Sequence, residues 1–251
     1  MRISFFEEFP TKANLSRLKL VDFPTRLYAA AKSIKEFNRI RKDCSKYMYV
    51  QEVCYWPVLR EEEGYWFSAF SDAEGLKRVI KELEKNERQL TVLWDAELPY
   101  LKKSLVFSQA TNVFKNKKLI MDFLQNASEH KIKVVTAEYS VKNKLLAKLF
   151  QFFATTFDQD NFKHAKILMA YSSAIKNDSI KSRIQFLKKQ YKDFQLGIGM
   201  LAPGMGNEPV MTIEQLDKDL KAAKSSGIKE VVIYRLGGLD KRNIRTIKKY
   251  V

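Results

Sequence analysis

The stretch Leu90-Thr91-Val92-Leu93-Trp94-Asp95-Ala96-Glu97-Leu98-Pro99 is an apolar run that ends in two acidic residues and is closed by a proline. Its β-branched and aromatic content predicts a strand. Side chains alternate between the two faces of a strand, so Asp95 and Glu97 are expected on one face at its carboxyl end. Two neighbouring carboxylates are costly unless solvent, a cation or a reaction uses them. We therefore interpret this strand end as the centre of a functional site.

Seven other segments also have strand character, and helical patterns separate them along the chain. The predicted strands cover residues 2–6, 25–30, 47–55, 90–99, 132–139, 164–171, 194–201 and 230–235. Eight strand and helix units in 251 residues match the count of a (β/α)8 TIM barrel. An open doubly wound sheet is the alternative, but it usually has fewer units. No tandem repeat, linker or low-complexity segment is present, so residues 1–251 are expected to form a single α/β barrel domain.

Helix ends and cysteines add local predictions. Capping-box patterns begin helices at Ser71 with Glu74 and at Thr212 with Gln215. The two cysteines lack metal-ligand spacing and are expected to be reduced packing residues. No run of eighteen apolar residues occurs and charges interrupt the amino terminus early, so we expect a cytoplasmic protein without a membrane span or cleaved signal.

The chain is basic, with a net charge of +16, and residues 101–251 supply nearly all of it. Nucleic acid is not the expected partner, because no helix-turn-helix, OB-like or RRM signature accompanies the lysines. The predicted helix 143–158 has a phenylalanine-rich apolar arc beside lysines. Packing on strands five and six is the expectation for this arc, and binding to an anionic membrane or a partner is the alternative.

The active site of a barrel forms at the carboxyl ends of its strands. Residues at these ends and in the long connection after strand three predict an acidic mouth with aromatic walls. Glu97 is the candidate general acid, Asp95 its modulator, and Glu138 or Glu7 an opposing carboxylate. The expected substrate-binding residues are Glu52, Tyr55, Trp56, Tyr65, Trp66, Tyr171 and Arg235.

The strand-four ending Asp95-x-Glu97 and the barrel plan resemble the chitinase-type glycosidases of glycoside hydrolase family 18. The motif of that family is D-x-x-D-x-D-x-E, with the final Glu as proton donor. Leu90 and Leu93 stand where its first two aspartates would be. The resemblance implies that Glu97 is the general acid and that Asp95 orients a substrate acetamido group. Membership of an uncharacterised barrel family with its own use of this strand end is the alternative.

The sequence is also compatible with other chemistry. Gly204, Gly206, Gly237 and Gly238 follow strands seven and eight, where many barrels bind phosphate. A phosphate ester or phosphorylated sugar, converted by an isomerase or lyase, is therefore an alternative to a plain carbohydrate. Converging carboxylates suit Mg²⁺ or Mn²⁺, but no metal or cofactor is assigned. A non-catalytic barrel that binds a membrane or partner through its basic half is the last alternative.

Overall fold

The computed structural model describes residues 1–99, 102–173, 179–206 and 209–251. Eight strands close into a parallel barrel in the order β1-β2-β3-β4-β5-β6-β7-β8. The predicted α/β fold, a (β/α)8 TIM barrel, is confirmed. The strands are β1 Arg2–Glu7, β2 Thr25–Ala31, β3 Val50–Pro57, β4 Leu90–Asp95, β5 Ile132–Glu138, β6 Ala165–Met169, β7 Gln195–Gly199 and β8 Glu230–Tyr234.

Helices separate the strands along the chain. They are α1 Lys12–Leu15, α2 Ile34–Cys44, α3 Ala73–Glu84, α4 Ser104–Ser108, α5 Val113–Asn126, α6 Lys144–Phe152, α7 Ile180–Gln190, α8 Ile213–Ser225 and α9 Lys241–Ile247. Among the described residues, no helix is long and apolar enough to cross a membrane.

Two helix starts show how local sequence fixes the elements. At α8, the Thr212 side chain accepts from the Gln215 N–H, and the Gln215 side chain accepts from the Thr212 N–H, as predicted. At α3 the predicted cap is wrong by one residue, because Asp72 is the N-cap and accepts from the Gly75 N–H. Ser71 is buried instead and donates to the carbonyl of Trp66.

Helix α6 departs from the prediction in length and in packing. It ends at Phe152 rather than near residue 158, and none of its residues is buried. Leu145 is 77% exposed and Leu149 45% exposed. The expectation that the apolar arc of this helix packs on strands five and six is therefore wrong for its leucines. Contact with the rest of the fold comes from Phe152 and Phe153, which meet Phe114 and Phe70.

The residue contacts divide the chain into two compact units. Unit 1 comprises Met1–Ala30, Asn38–Cys54 and Ile167–Val251, and unit 2 comprises Ala31–Phe37 and Tyr55–Lys166. Strands β3 and β6 contribute residues to both units. The expectation of a single domain over 1–251 stays a prediction.

Candidate active site

Strand β4 presents opposite faces to the helices and to the barrel interior. Trp94 is fully buried, stacks on Phe67 with ring centroids 4.1 Å apart and packs against Phe123 of α5 at 5.6 Å. Its side chain therefore faces the helix layer. Since neighbours along a strand face opposite sides, Asp95 faces the barrel interior, where it is 4% exposed.

The backbone around Asp95 is fixed on both sides. Its carbonyl accepts from the Phe67 N–H at 3.1 Å, and the Ala96 N–H donates to the Ala137 carbonyl at 3.2 Å. Glu97 follows directly and is only half-buried. The predicted pair thus consists of a buried, interior-facing carboxyl and a more accessible one, both carried on an anchored strand end.

The two predicted aromatics at the end of β3 face opposite sides of the barrel wall. Tyr55 stacks on Phe37 of α2 with ring centroids 4.9 Å apart, so it lies under the helices and not in the mouth. Burial raises the pKa of its hydroxyl. By strand alternation, the neighbouring Trp56 faces the interior, and it is 3% exposed.

The long connection after β3 is packed into the fold. Tyr65 and Trp66 are each 5% exposed and meet edge to face at 4.9 Å. Asn116 of α5 donates to the carbonyls of Ala69 and Ser71 at 3.0 and 2.8 Å, which ties this connection to the helix. Sequence reasoning missed Asn116, although an amide on the core-facing side of a helix is the kind of buried polar group that usually has a partner.

Glu138 has a different environment from the one predicted for an opposing catalytic carboxylate. Both of its oxygens accept from the Lys166 ammonium at 2.7 Å, and Thr136 donates to one of them at 2.5 Å. Thr136 is in register with Trp94, so Thr136 and Glu138 lie on the helix side of the sheet. Glu138 therefore forms a buried ion pair outside the barrel wall.

The surroundings of this pair explain why it is buried. The Phe157 N–H donates to Glu138 at 3.3 Å and Lys166 donates to the Phe157 carbonyl at 2.5 Å, so the pair holds the segment between α6 and β6. Burial raises the pKa of Glu138 against the attraction of Lys166. It also lowers the pKa of nearby His164 to about 4, which keeps that imidazole neutral.

In unit 1, Glu7 binds backbone and side-chain donors at the ends of β1 and β8. It accepts from the Gly237 N–H at 2.6 Å, from the Phe9 N–H at 2.8 Å, and from Asn14 and Arg235 at 3.2 Å each. Burial raises the pKa of Glu7, and these donors oppose the shift. Glu7 and Arg235, both predicted for the mouth, thus form an ion pair that holds the loop after β8.

The adjacent Glu8 takes part in a second arrangement that sequence reasoning did not assign. It accepts from the Tyr234 hydroxyl and, at 3.2 Å, from the Met205 N–H. Tyr234 packs near Tyr171, with ring centroids 5.9 Å apart, and near Phe6 at 6.1 Å. Glu8 lies one residue past the end of β1, so strand alternation does not place its side chain and the sequence carried no signal for this contact.

The predicted phosphate-binding loops meet these two carboxylates. A Cβ on Gly204 would lie 2.1 Å from the Tyr234 hydroxyl oxygen, and one on Gly238 would lie 2.1 Å from the Leu201 carbonyl oxygen. These glycines are thus required by close packing. The amides of Met205 and Gly237 are bound to Glu8 and Glu7, so carboxylates of the chain itself already bind two amides of these loops.

Glu52 lies at the opposite end of the strands from the predicted mouth. It pairs with Arg26 at 3.0 Å, and Arg26 in turn contacts Glu230 at 3.2 Å. Arg26 is the second residue of β2 and Glu230 the first of β8. The prediction of a substrate-binding role for Glu52 is therefore wrong on position, because this network closes the amino-terminal end of the barrel.

Metal chemistry gains no candidate site. Within the described ranges 1–99, 102–173, 179–206 and 209–251, no group of three or more His, Cys, Asp or Glu side chains is placed to hold a metal ion. Both cysteines are free and buried. Cofactor use stays a prediction.

The chain is an eight-stranded (β/α)8 barrel with carboxylates at the ends of its strands. Comparisons with known proteins show which proteins share this fold. Neither a family model nor a curated protein matches the sequence. The fold is similar to the PgaB (BpsB) glycoside hydrolase domain from Bordetella bronchiseptica, with a TM-score of 0.58 and 12% identity over 96% of this chain and 94% of that one. The fold resemblance to glycoside hydrolases is thereby confirmed.

Two further solved structures extend the comparison. A chitinase of glycoside hydrolase family 18 from Pseudoalteromonas aurantia has a TM-score of 0.56 and 10% identity, with both chains fully covered. A D-allulose 3-epimerase from Methylomonas sp. has a TM-score of 0.52 and 9% identity over 100% of this chain and 98% of that one. At such identities the likeness establishes the (β/α)8 fold.

Proposed function

We propose that this chain is a carbohydrate-active enzyme that hydrolyses glycosidic bonds beside an acetamido group. One observation carries the proposal. Asp95 is buried at the interior-facing end of β4, and the half-buried Glu97 follows two residues later on a backbone held by Phe67 and Ala137. This is the strand end that carries acid catalysis in the family-18 glycosidases that the sequence resembles.

The absence of an assigned second carboxylate favours substrate assistance. Glu138 and Glu7 are engaged in ion pairs, and Glu52 lies at the other end of its strand. A mechanism that needs two opposing carboxylates is therefore poorly served by the predicted partners. In a substrate-assisted reaction, the acetamido oxygen of the sugar attacks the anomeric carbon and replaces the missing nucleophile.

In this mechanism each chain residue has one task. Glu97 gives its proton to the glycosidic oxygen as the bond from that oxygen to the anomeric carbon breaks. Asp95 accepts a hydrogen bond from the acetamido N–H and orients its carbonyl oxygen toward the anomeric carbon. Water then opens the cyclic intermediate and returns a proton to Glu97, so the carboxyl is restored. Trp56 supplies an apolar surface at the end of the neighbouring strand β3.

The test compares turnover of fluorogenic N-acetylglucosaminides and glucosides by the wild type and Glu97→Gln. The variant should lose about 100-fold or more in kcat on the N-acetylated substrates, as expected for loss of a general acid. Glu87→Gln, an exposed change in the same unit, should keep wild-type turnover. Unchanged turnover by Glu97→Gln would reject the acid assignment.

A comparison of substrates tests separately whether the acetamido group of the sugar takes part in the reaction. Asp95→Asn should lose activity on N-acetylated sugars while Trp fluorescence and circular dichroism stay those of the wild type. If glucosides are hydrolysed as fast as N-acetylglucosaminides, substrate assistance is excluded, although Glu97 remains testable as the acid.

A further inference from the structure

We propose that one face of unit 2 binds the surface of an anionic lipid bilayer. The face is built by α5 and α6, and α4 joins α5 through the short turn Ala110–Asn112; the exposed side chains of these three helices are called the basic apolar face. Its exposed apolar side chains are Val106, Phe107, Phe114, Leu145, Leu146 and Leu149. Its exposed lysines are Lys102, Lys103, Lys115, Lys118, Lys142, Lys144 and Lys148.

Exposure of these side chains is far above that of ordinary packing residues. Phe107 is 82% exposed, Leu145 is 77% and Phe114 is 71%. Single exposed apolar residues are common on protein surfaces, but several large ones on adjoining helices mark an interaction site. We therefore expect these side chains to contact an apolar region of a binding partner.

Ring contacts join α5 and α6 into one surface. Phe114 and Phe152 meet edge to face with centroids 5.5 Å apart, and the Lys117 ammonium lies 5.1 Å from the Phe152 ring centroid. Residues 145, 149 and 152 follow the spacing of one helical stripe. Leu145 and Leu149 thus continue the line that Phe152 begins against α5.

Charge identifies the partner. Residues 102–118 and 141–153 contain eight lysines and no aspartate or glutamate. A bilayer with anionic headgroups offers negative charge at its surface and an apolar region about 5–10 Å below, which matches lysines beside leucines and phenylalanines. Nucleic acid offers the charge without an aliphatic phase. A second copy would bring two sets of these lysines together across a symmetric contact.

The test is co-sedimentation of the full chain with vesicles of phosphatidylcholine mixed with phosphatidylglycerol, and with vesicles of phosphatidylcholine alone. We expect binding to the mixed vesicles only, weakened by salt. Leu145→Ser with Leu149→Ser, and separately Lys144→Glu with Lys148→Glu, should each weaken binding about tenfold or more. All four positions are exposed, so thermal unfolding should match the wild type.

Matched controls distinguish binding through this face from binding caused by the overall positive charge or by any exposed apolar side chain. Lys221→Glu with Lys224→Glu makes the same charge change on α8, and Met48→Ser removes a side chain that is 83% exposed elsewhere. Both controls should bind vesicles as the wild type does. Hydrolysis of soluble substrates should not change in any of these variants.

Several results would overturn the proposal. These are no binding to the mixed vesicles, equal loss in the α8 control, or full binding by the Leu145→Ser with Leu149→Ser variant. Light scattering that shows a dimer lost in that variant, without vesicle binding, would assign the face to a second copy. Binding of duplex DNA through Lys144 and Lys148 without vesicle binding would assign it to nucleic acid.

Discussion

The contact between Lys166 and Glu138 places a pair of opposite charges almost entirely out of solvent, each 1% exposed. We expect Lys166→Met to lower the free energy of unfolding by about 3–5 kcal/mol, because it leaves a buried carboxylate without its cation. Denaturant titration gives this value directly. Lys133→Met, an exposed change on β5, is the matched control and should stay within about 0.5 kcal/mol of wild type.

The double variant distinguishes an ion-pair effect from lost packing. Glu138→Leu combined with Lys166→Met replaces both charges with apolar groups, and it should recover much of the stability lost in the single variant. A double variant that is as unstable as the sum of both single variants would contradict this account of the pair.

Asp219 on α8 gives a pH-dependent prediction. It is 1% exposed, accepts from the Ser172 hydroxyl at 2.6 Å, and burial raises its pKa from 3.8 to about 6. The native state thus holds the proton more tightly than the unfolded chain. The resulting stability is full below pH 3.8 and is lost as the pH rises through about 6.

Asp219→Asn removes this dependence because the amide does not ionise. Between pH 3 and pH 7 the wild type should lose about 3 kcal/mol relative to the variant, the value that corresponds to a pKa raised from 3.8 to about 6. Denaturant titrations at several pH values across this range measure the difference. Parallel stability curves for the two proteins would show that Asp219 ionises with its ordinary pKa.

Two pairs of residues at strand ends show which features of the candidate site can be predicted from the sequence. Position along a strand is visible in the apolar pattern, so the strand-four pair was placed correctly at its carboxyl end. Whether a strand side chain points into the barrel or toward the helices depends on which face of the strand the helices cover. That is a property of the assembled barrel. Tyr55 and Trp56 were therefore both expected in the mouth, although one of them packs on Phe37.

At the scale of elements, the cap of α3 is a local device with a measurable effect. Asp72→Ala should lower the free energy of unfolding by about 1 kcal/mol, because the Gly75 N–H loses its acceptor. Asp72→Asn keeps an oxygen at this position and should lose much less. Equal loss in the two variants, measured by denaturant titration, would argue that charge and not the hydrogen bond is responsible.

Helix α6 shows what periodicity leaves undetermined. A repeat near 3.6 residues predicts the apolar arc of a helix, and it predicted the arc of α6. It does not say what covers that arc. Leu145 and Leu149 lie toward solvent, whereas the phenylalanines at the carboxyl-terminal end of the helix, Phe152 and Phe153, meet Phe114 and Phe70. The prediction of eight strands succeeded because strand number follows from pattern, whereas helix packing depends on neighbours far apart in sequence.

At the scale of the whole molecule, the division into two compact units raises the question of whether they unfold together. Strand β3 runs from Val50 to Pro57, and the boundary between the units falls after Cys54. Strand β6 crosses the other boundary, after Lys166. Each of these two strands therefore contributes residues to both units. We therefore expect one cooperative transition, as a single domain requires.

The tryptophans and cysteines of the chain report on the unfolding of the two units separately, without an added label. All three tryptophans, Trp56, Trp66 and Trp94, belong to unit 2, and both cysteines, Cys44 and Cys54, belong to unit 1. Tryptophan fluorescence and thiol reactivity should therefore give the same denaturant midpoint, because both cysteines are fully buried until unit 1 opens. Thiols that react at a lower denaturant concentration than the one at which fluorescence changes would mean that unit 1 opens first, and residues 1–251 would then behave as two folding units.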